Sequence, residues 1–246
     1  MLQIDRFARQ EVVAILVDGG FYLKRAKHLF GCKSAEDRAN ELVSYCCRHL
    51  KIREQPQSGK SHHDRYNHLY RIFYYDCPPL ASTCFHLFLQ KHINMKKTED
   101  FVWTNKFHSE LANKRKVALR FGELQERDTQ FTIKHDSLKK LCSKKMSFDD
   151  LREDDFKLNY VQKGVDMRIG LDIASLAYKH QVSQIVLISG DSDFVPAAKL
   201  ARREGIDFIL DSMHQKIRPN LNEHIDGRST PTPSEPMTDK TFCQNV

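Results

Sequence analysis

The chain is poor in several things. Of 246 residues only 10 are glycine and one is tryptophan. Its seven cysteines include the adjacent pair Cys46-Cys47, but no Cys-x-x-Cys or Cys/His spacing that would seat zinc. An odd cysteine count without such spacing argues against a disulfide framework, and reduced thiols of a cytoplasmic protein are expected. Long hydrophobic runs are missing: the longest are about half a dozen residues, where a membrane helix needs about 20. The opening "MLQIDRFARQE" mixes acids and bases too early for a signal peptide. Acidic residues are in deficit, 32 against 39 basic ones, for a net charge of +7. That balance favours a polyanionic partner such as nucleic acid without naming one.

Four short apolar segments read as strands buried on both faces: "VVAILV" (12–17), "RIFYY" (71–75), "QIVLIS" (184–189) and "IDFIL" (206–210). A fifth, "KVALRFGEL" (116–124), alternates and suits an edge or partly exposed strand. Ile169, Ile173, Leu176 and Ala177 share one face of a helix. A second helix is expected from Phe194 to Glu204, with Pro196 in its first turn and Gly205 at its end. Strands alternating with helices imply a parallel sheet covered on both sides. One domain over residues 1–226 is expected, with polar insertions at about 51–68 and 126–158. Within the latter, residues 134–155, with Lys139-Lys140 beside Asp149, Asp150, Glu153, Asp154 and Asp155, suit a solvated helical excursion. Residues 227–246, with "STPTPSEP", read as a disordered tail.

Ligand sites in such sheets gather beyond the carboxyl ends of the strands. Asp18, Asp76, Asp191 and Asp193 all follow predicted strands and so fall on one rim. Asp18, followed by Gly19 and Gly20, suits either a helix cap or a ligand site. Asp166 lies in the first turn of the helix after "QKG", whereas Asp172 is rotated away from it and suits a buried hydrogen bond or the surface. Asp193 is placed to cap the helix that follows, while Asp191 has no such local use. Four converging carboxylates would raise one another's pKa unless a cation neutralised them, and hard oxygen ligands suit Mg²⁺ or Mn²⁺.

Taken together, "VDGGFYL", "QKGVDMRIGLDIASLA" and "VLISGDSDFVPAAKLARREG" resemble the three signature segments of the NYN domain, in its LabA-like branch, within the PIN-like nuclease superfamily. The resemblance implies a Rossmann-like α/β/α sandwich and a Mg²⁺- or Mn²⁺-dependent ribonuclease. It carries catalytic and metal-binding roles onto Asp18, Asp166, Asp191 and Asp193. One departure stands out: many relatives place an asparagine shortly after the first aspartate, where this chain has Gly20 and Phe21.

For the RNA track, Lys163 is a candidate to neutralise a phosphate oxygen, and Lys114, Arg115, Lys116 and Arg120 of "NKRKVALR" are further candidates. Tyr74, Tyr75 and Phe21 are candidates to stack bases, although aromatics in strands are more often core. The middle insertion is a candidate cap over the cleft or homo-oligomer contact. A non-catalytic RNA-binding adaptor of the same fold is the alternative. An aspartyl phosphatase ranks below both, because Gly20 stands where a second acid is wanted.

Overall fold

The structure, a computed structural model, describes residues 10–52 and 65–231. In chain order the elements are β1 (Val12–Asp18), α1 (Gly19–Phe30), α2 (Ala35–Arg48), β2 (His68–Asp76), β3 (Thr83–His86), β4 (Lys91–Asn94) and α3 (Glu99–Ala112). They continue with β5 (Val117–Phe121), β6 (Glu123–Ile133), α4 (His135–Cys142), β7 (Phe156–Lys163) and α5 (Val165–Tyr178). The last are β8 (Gln184–Ile188), α6 (Val195–Arg203), β9 (Asp207–Asp211), α7 (Pro219–Asn222) and β10 (Gly227–Arg228).

Six strands form one sheet in the order β10-β9-β8-β1-β2-β5, every neighbouring pair parallel. Side chains alternate between the two faces, and both faces are covered. Ala14, Leu16, Phe73, Tyr75, Ile185 and Leu187 pack under α5 and α6. Val13, Ile15, Val17, Ile72, Tyr74 and Val186 pack under α1, α2 and α3. Burial on both sides is why these strands read as unbroken apolar runs. The fold is therefore a three-layer α/β/α sandwich with a parallel central sheet; β5 is one edge strand, and the expected 116–124 strand divides at Gly122, with Glu123 and Leu124 passing into β6 of a separate sheet.

The chain starts mid-sheet at β1, winds out through β2 to β5, then crosses back to β8 on the other side of β1. The winding direction reverses between β1 and β8, and such a reversal opens a crevice at the strands' carboxyl ends. Gly19 makes the turn out of β1 possible: a Cβ there would stand 2.5 Å from the Tyr75 carbonyl oxygen and 2.6 Å from the Tyr74 ring.

The helical excursion expected over 134–155 is present, as α4 and the 3-10 turns Phe148–Asp150 and Glu153–Asp155, and on either side of it β6 and β7 pair antiparallel into a long arm. A two-stranded ribbon has little core to face, so its strands lack an apolar run, and β7 is almost wholly exposed or half-exposed. The arm leans on the small β3–β4 hairpin through His86, whose ring lies 4.2 Å from that of Phe131. Two expectations need correction. The tail does not begin at Gly227, because Gly227 and Arg228 add a sixth strand beside β9. Finally, a 3-10 turn, Ser192–Phe194, precedes α6. Most of the expected 51–68 insertion, residues 53–64, and the tail from 232 onward lie outside the described residues.

Candidate functional site

Asp18 ends β1 and caps α1, its Oδ1 accepting from the Phe21 N–H at 3.1 Å. The buried Ser189, just past β8, donates its hydroxyl to Asp18 Oδ2 at 3.0 Å. The same hydroxyl oxygen accepts from the Asp191 N–H at 3.3 Å. One serine therefore ties the first carboxylate to the loop carrying the next two, directly over the crevice between β1 and β8. The half-exposed Phe21 lies against this loop: a Cβ on Gly190 would come within 2.7 Å of its ring. Thus the region where many relatives have asparagine is used here for packing.

The roles expected of Asp191 and Asp193 are reversed. Asp191 is the cap, its Oδ1 accepting from the Asp193 N–H at 3.0 Å, whereas α6 itself has no side-chain cap. The 3-10 turn is the reason, since it moves the first unpaired N–H groups upstream. Asp193 and Asp191 are both exposed. Asp166 stands in the first turn of α5 after Gly164, which takes the left-handed conformation (φ 80°). Among the described residues nothing donates a hydrogen bond to the Asp166 carboxylate.

The charges of these groups bear on one another. Burial pushes Asp18 above its ordinary value; the Phe21 N–H and Ser189 hydroxyl resist the rise, and Asp166 and Asp191 add to it. Asp166 is raised as well, by partial burial and then by Asp191 and Asp193. The four acids thus share one field at one rim. They do not form a ready-made cage: among the described residues no three His, Cys, Asp or Glu are grouped so as to hold a metal ion. Asp172 stands apart, accepting from the Tyr75 hydroxyl at 2.8 Å and from Arg120 Nε at 3.1 Å.

Several expected substrate contacts are elsewhere. Lys114, Arg115 and Lys116 immediately precede β5, whose first residue, Val117, is level with Ile72. Asp18 is level with Tyr75, and Tyr75 with Arg120. The basic run is thus at the amino edge of the sheet, opposite the acids. Lys116 Nζ also donates to the Leu69 carbonyl at 2.7 Å, and Lys114 Nζ to Asn40. Arg120 reaches the correct edge but is engaged by Asp172 and lies over the Phe73 ring. Tyr74 and Tyr75 are fully buried and cannot stack bases. Lys163 is exposed at the end of β7, three positions before Asp166.

One basic residue went unrecognised in the sequence. Arg218 Nη1 donates to Ser192 Oγ at 3.3 Å, which sets a guanidinium beside the Asp191–Asp193 turn. It follows β9, so the carboxyl-end rule that placed the acids places it too. A groove of about 400 Å³ opens beside Asp166 and Asp193, between α5 and α6. A larger cavity, about 660 Å³, lies along α2 around Lys33, Asn40 and Arg48 and includes none of the four acids.

The NYN domain family model matches residues 93–226, more than half of the chain. This chain belongs to the NYN family. The family lies within the PIN-like superfamily, and membership supports a nuclease-like, nucleic-acid-directed function in general. The NYN match carries Asp166, Asp191 and Asp193 but begins after β1. Asp18 joins them through the pairing of β1 with β8 and the Ser189 hydrogen bond. Among solved structures, this NYN chain is similar to a protein of unknown function from Vibrio parahaemolyticus, at 14% identity and TM-score 0.44, over 90% of this chain and 93% of that one. Among curated proteins none matches. No helix of the described residues is long and apolar enough to cross a membrane.

Proposed function

We propose that this chain is a metal-dependent ribonuclease of the LabA-like branch, hydrolysing phosphodiester bonds at the rim formed by Asp18, Asp166, Asp191 and Asp193. A single NYN domain over residues 1–226, extended by the β10 strand at Gly227–Arg228, would carry the activity. The observation that supports this reading best is topological. Acids from β1, from the loop after β8 and from the start of α5 flank the point where the sheet reverses its winding.

The donor set fits a hard divalent ion. It is all carboxylate oxygen, and each oxygen already accepting an N–H or O–H keeps a second lone pair. Burial first, and then the neighbouring acids, raise Asp18 and Asp166, and a cation at the rim would favour their charged forms. Absence of a three-residue cage is compatible with Mg²⁺, which is commonly held by one or two carboxylates with water completing its shell. Of Asp18, Asp166 and Asp191, one or two would hold the ion directly and the remainder through its bound water, with Asp193 as a further ligand or an orienting group. Bound there, Mg²⁺ or Mn²⁺ would supply neutralisation of phosphate charge and a lowered pKa for nearby water.

The remaining work belongs to the chain. Ser189 fixes the Asp18 carboxylate and the Asp191 backbone together, so the two acids cannot drift independently. Lys163, at the end of β7, and Arg218, beside Ser192, would meet phosphate oxygens of the strand. The arm of β6 and β7 rises from the end of β5 and returns to α5 at Lys163, so it walls one side of the approach.

The test is cleavage of single-stranded RNA with Mn²⁺ by the wild type and by Asp191→Asn. Asparagine caps a helix as well as aspartate does, so the fold is kept. Cleavage is expected to fall by about a hundredfold or more; equal cleavage would contradict the assignment. The adaptor reading has one observation in its favour, that Asp18 and Asp191 are already used as caps. RNA that is bound by the wild type and left intact in the same assay would favour it.

A further inference from the structure

The groove beside Asp166 and Asp193 has features that helix packing leaves unexplained. Its α5 wall carries Met167 and Gly170, its α6 wall Pro196 and Leu200, and the two acids stand at its mouth. Met167 is 69% exposed, unusual for a side chain lining a concave apolar surface. Gly170 lies in the middle of α5, where glycine weakens a helix relative to alanine. No neighbour requires it: a Cβ built there meets nothing within 4 Å. What the glycine does provide is width in the groove.

We infer that this groove is a nucleobase subsite for the nucleotide next to the one whose phosphate lies at the acid rim. The inference rests on the nuclease-site reading for its position, since the groove and the rim share Asp166 and Asp193. Its chemistry is argued separately. Beyond the two acids at its mouth the groove is lined by apolar residues alone, with no cation or polar donor to meet a phosphate, so the occupant of the interior is an uncharged ring. A base offers flat apolar faces to Met167, Pro196 and Leu200, and thioether sulfur makes favourable contacts at aromatic ring edges. Its edge carries N–H groups that a carboxylate can accept. The volume, about 400 Å³, is within the range of small-ligand pockets, roughly 300–1,000 Å³.

The experiment uses the full chain, in Ca²⁺ buffer to limit cleavage, with a mixed-sequence RNA about ten nucleotides long and its abasic counterpart. Anisotropy is measured for the wild type and for Gly170→Leu, which fills the groove. Folding of the variant is checked by its melting temperature, expected to equal or exceed that of the wild type because the added carbon meets open space. The wild type is expected to bind the normal RNA about tenfold or more tighter than the abasic one. Gly170→Leu is expected to lose that preference while keeping its affinity for the abasic strand. The proposal is overturned if the wild type does not discriminate or the variant binds both RNAs as the wild type does. Equal loss on both strands overturns it too, as does a change of oligomeric state with RNA affinity unchanged, which would assign the groove to a second copy. A wild type that discriminates but never cleaves with Mn²⁺ leaves the subsite standing and removes the nuclease reading. One that cleaves while Gly170→Leu binds normally does the opposite.

Discussion

Asp18 is held in tension. It caps α1 and accepts from Ser189, yet burial and two neighbouring acids raise its pKa. A carboxyl whose folded pKa exceeds its unfolded one favours folding while protonated, and that contribution is lost as pH rises through the folded value. Asp18→Asn keeps the cap and removes the charge, so it is expected to melt at a higher temperature than the wild type at pH 7. The difference should shrink as pH falls towards 3.8, the ordinary value, in paired melting curves. Asp211 is the opposite case. Its burial would raise it, but His49, Tyr45 and the Met213 N–H together hold it below the usual range. Tyr45, Met213 and Thr230 donate to it at 2.6, 2.8 and 2.8 Å, and His49 Nε2 is 3.0 Å away. A depressed pKa gives stability above 3.8 that is lost as pH falls through the folded value. Asp211→Ala would strand those partners in the core and is expected to cost about 3–5 kcal/mol in denaturant unfolding at pH 7.

Among the elements, legibility followed burial. The strands covered on both faces, β1, β2, β8 and β9, stand out as apolar runs because their central residues face a hydrophobic layer on either side. The β6–β7 arm and the β3–β4 hairpin each present much of their surface to water, so "FKLNYVQK" reads as readily as loop or helix. Asp18, Asp191 and Asp193 were legible for a different reason, because the carboxyl-end rule places them without side-chain detail, whereas Asp166 follows a strand of the separate arm. Their roles were not: whether Asp191 or Asp193 caps depends on a 3-10 turn of three residues, which leaves no periodicity to read. Tight turns carry the site in place. Gly19→Ala would drive a Cβ to 2.5 Å from the Tyr75 carbonyl oxygen, and a loss of roughly 2 kcal/mol or more is expected in the same unfolding experiment.

Across the whole molecule, a parallel sheet has two unlike edges. The basic run Lys114–Lys116 lies at the amino edge and the acids at the carboxyl edge, so sequence proximity to Arg120 misleads. Lys114→Glu combined with Arg115→Glu is therefore expected to leave RNA affinity nearly unchanged. Arg218→Ala is expected to weaken it several-fold and to reduce the slope of log affinity against log salt by roughly one phosphate contact. Affinity titrations at several salt concentrations measure both. The decisive measurement is a crystal structure of the full chain with Mn²⁺. An anomalous peak at about 2.1–2.2 Å from carboxylate oxygens of Asp166 and at least one of Asp18 and Asp191 is expected. Well-ordered acids with no peak between them at saturating Mn²⁺ would contradict the metal-dependent nuclease assignment.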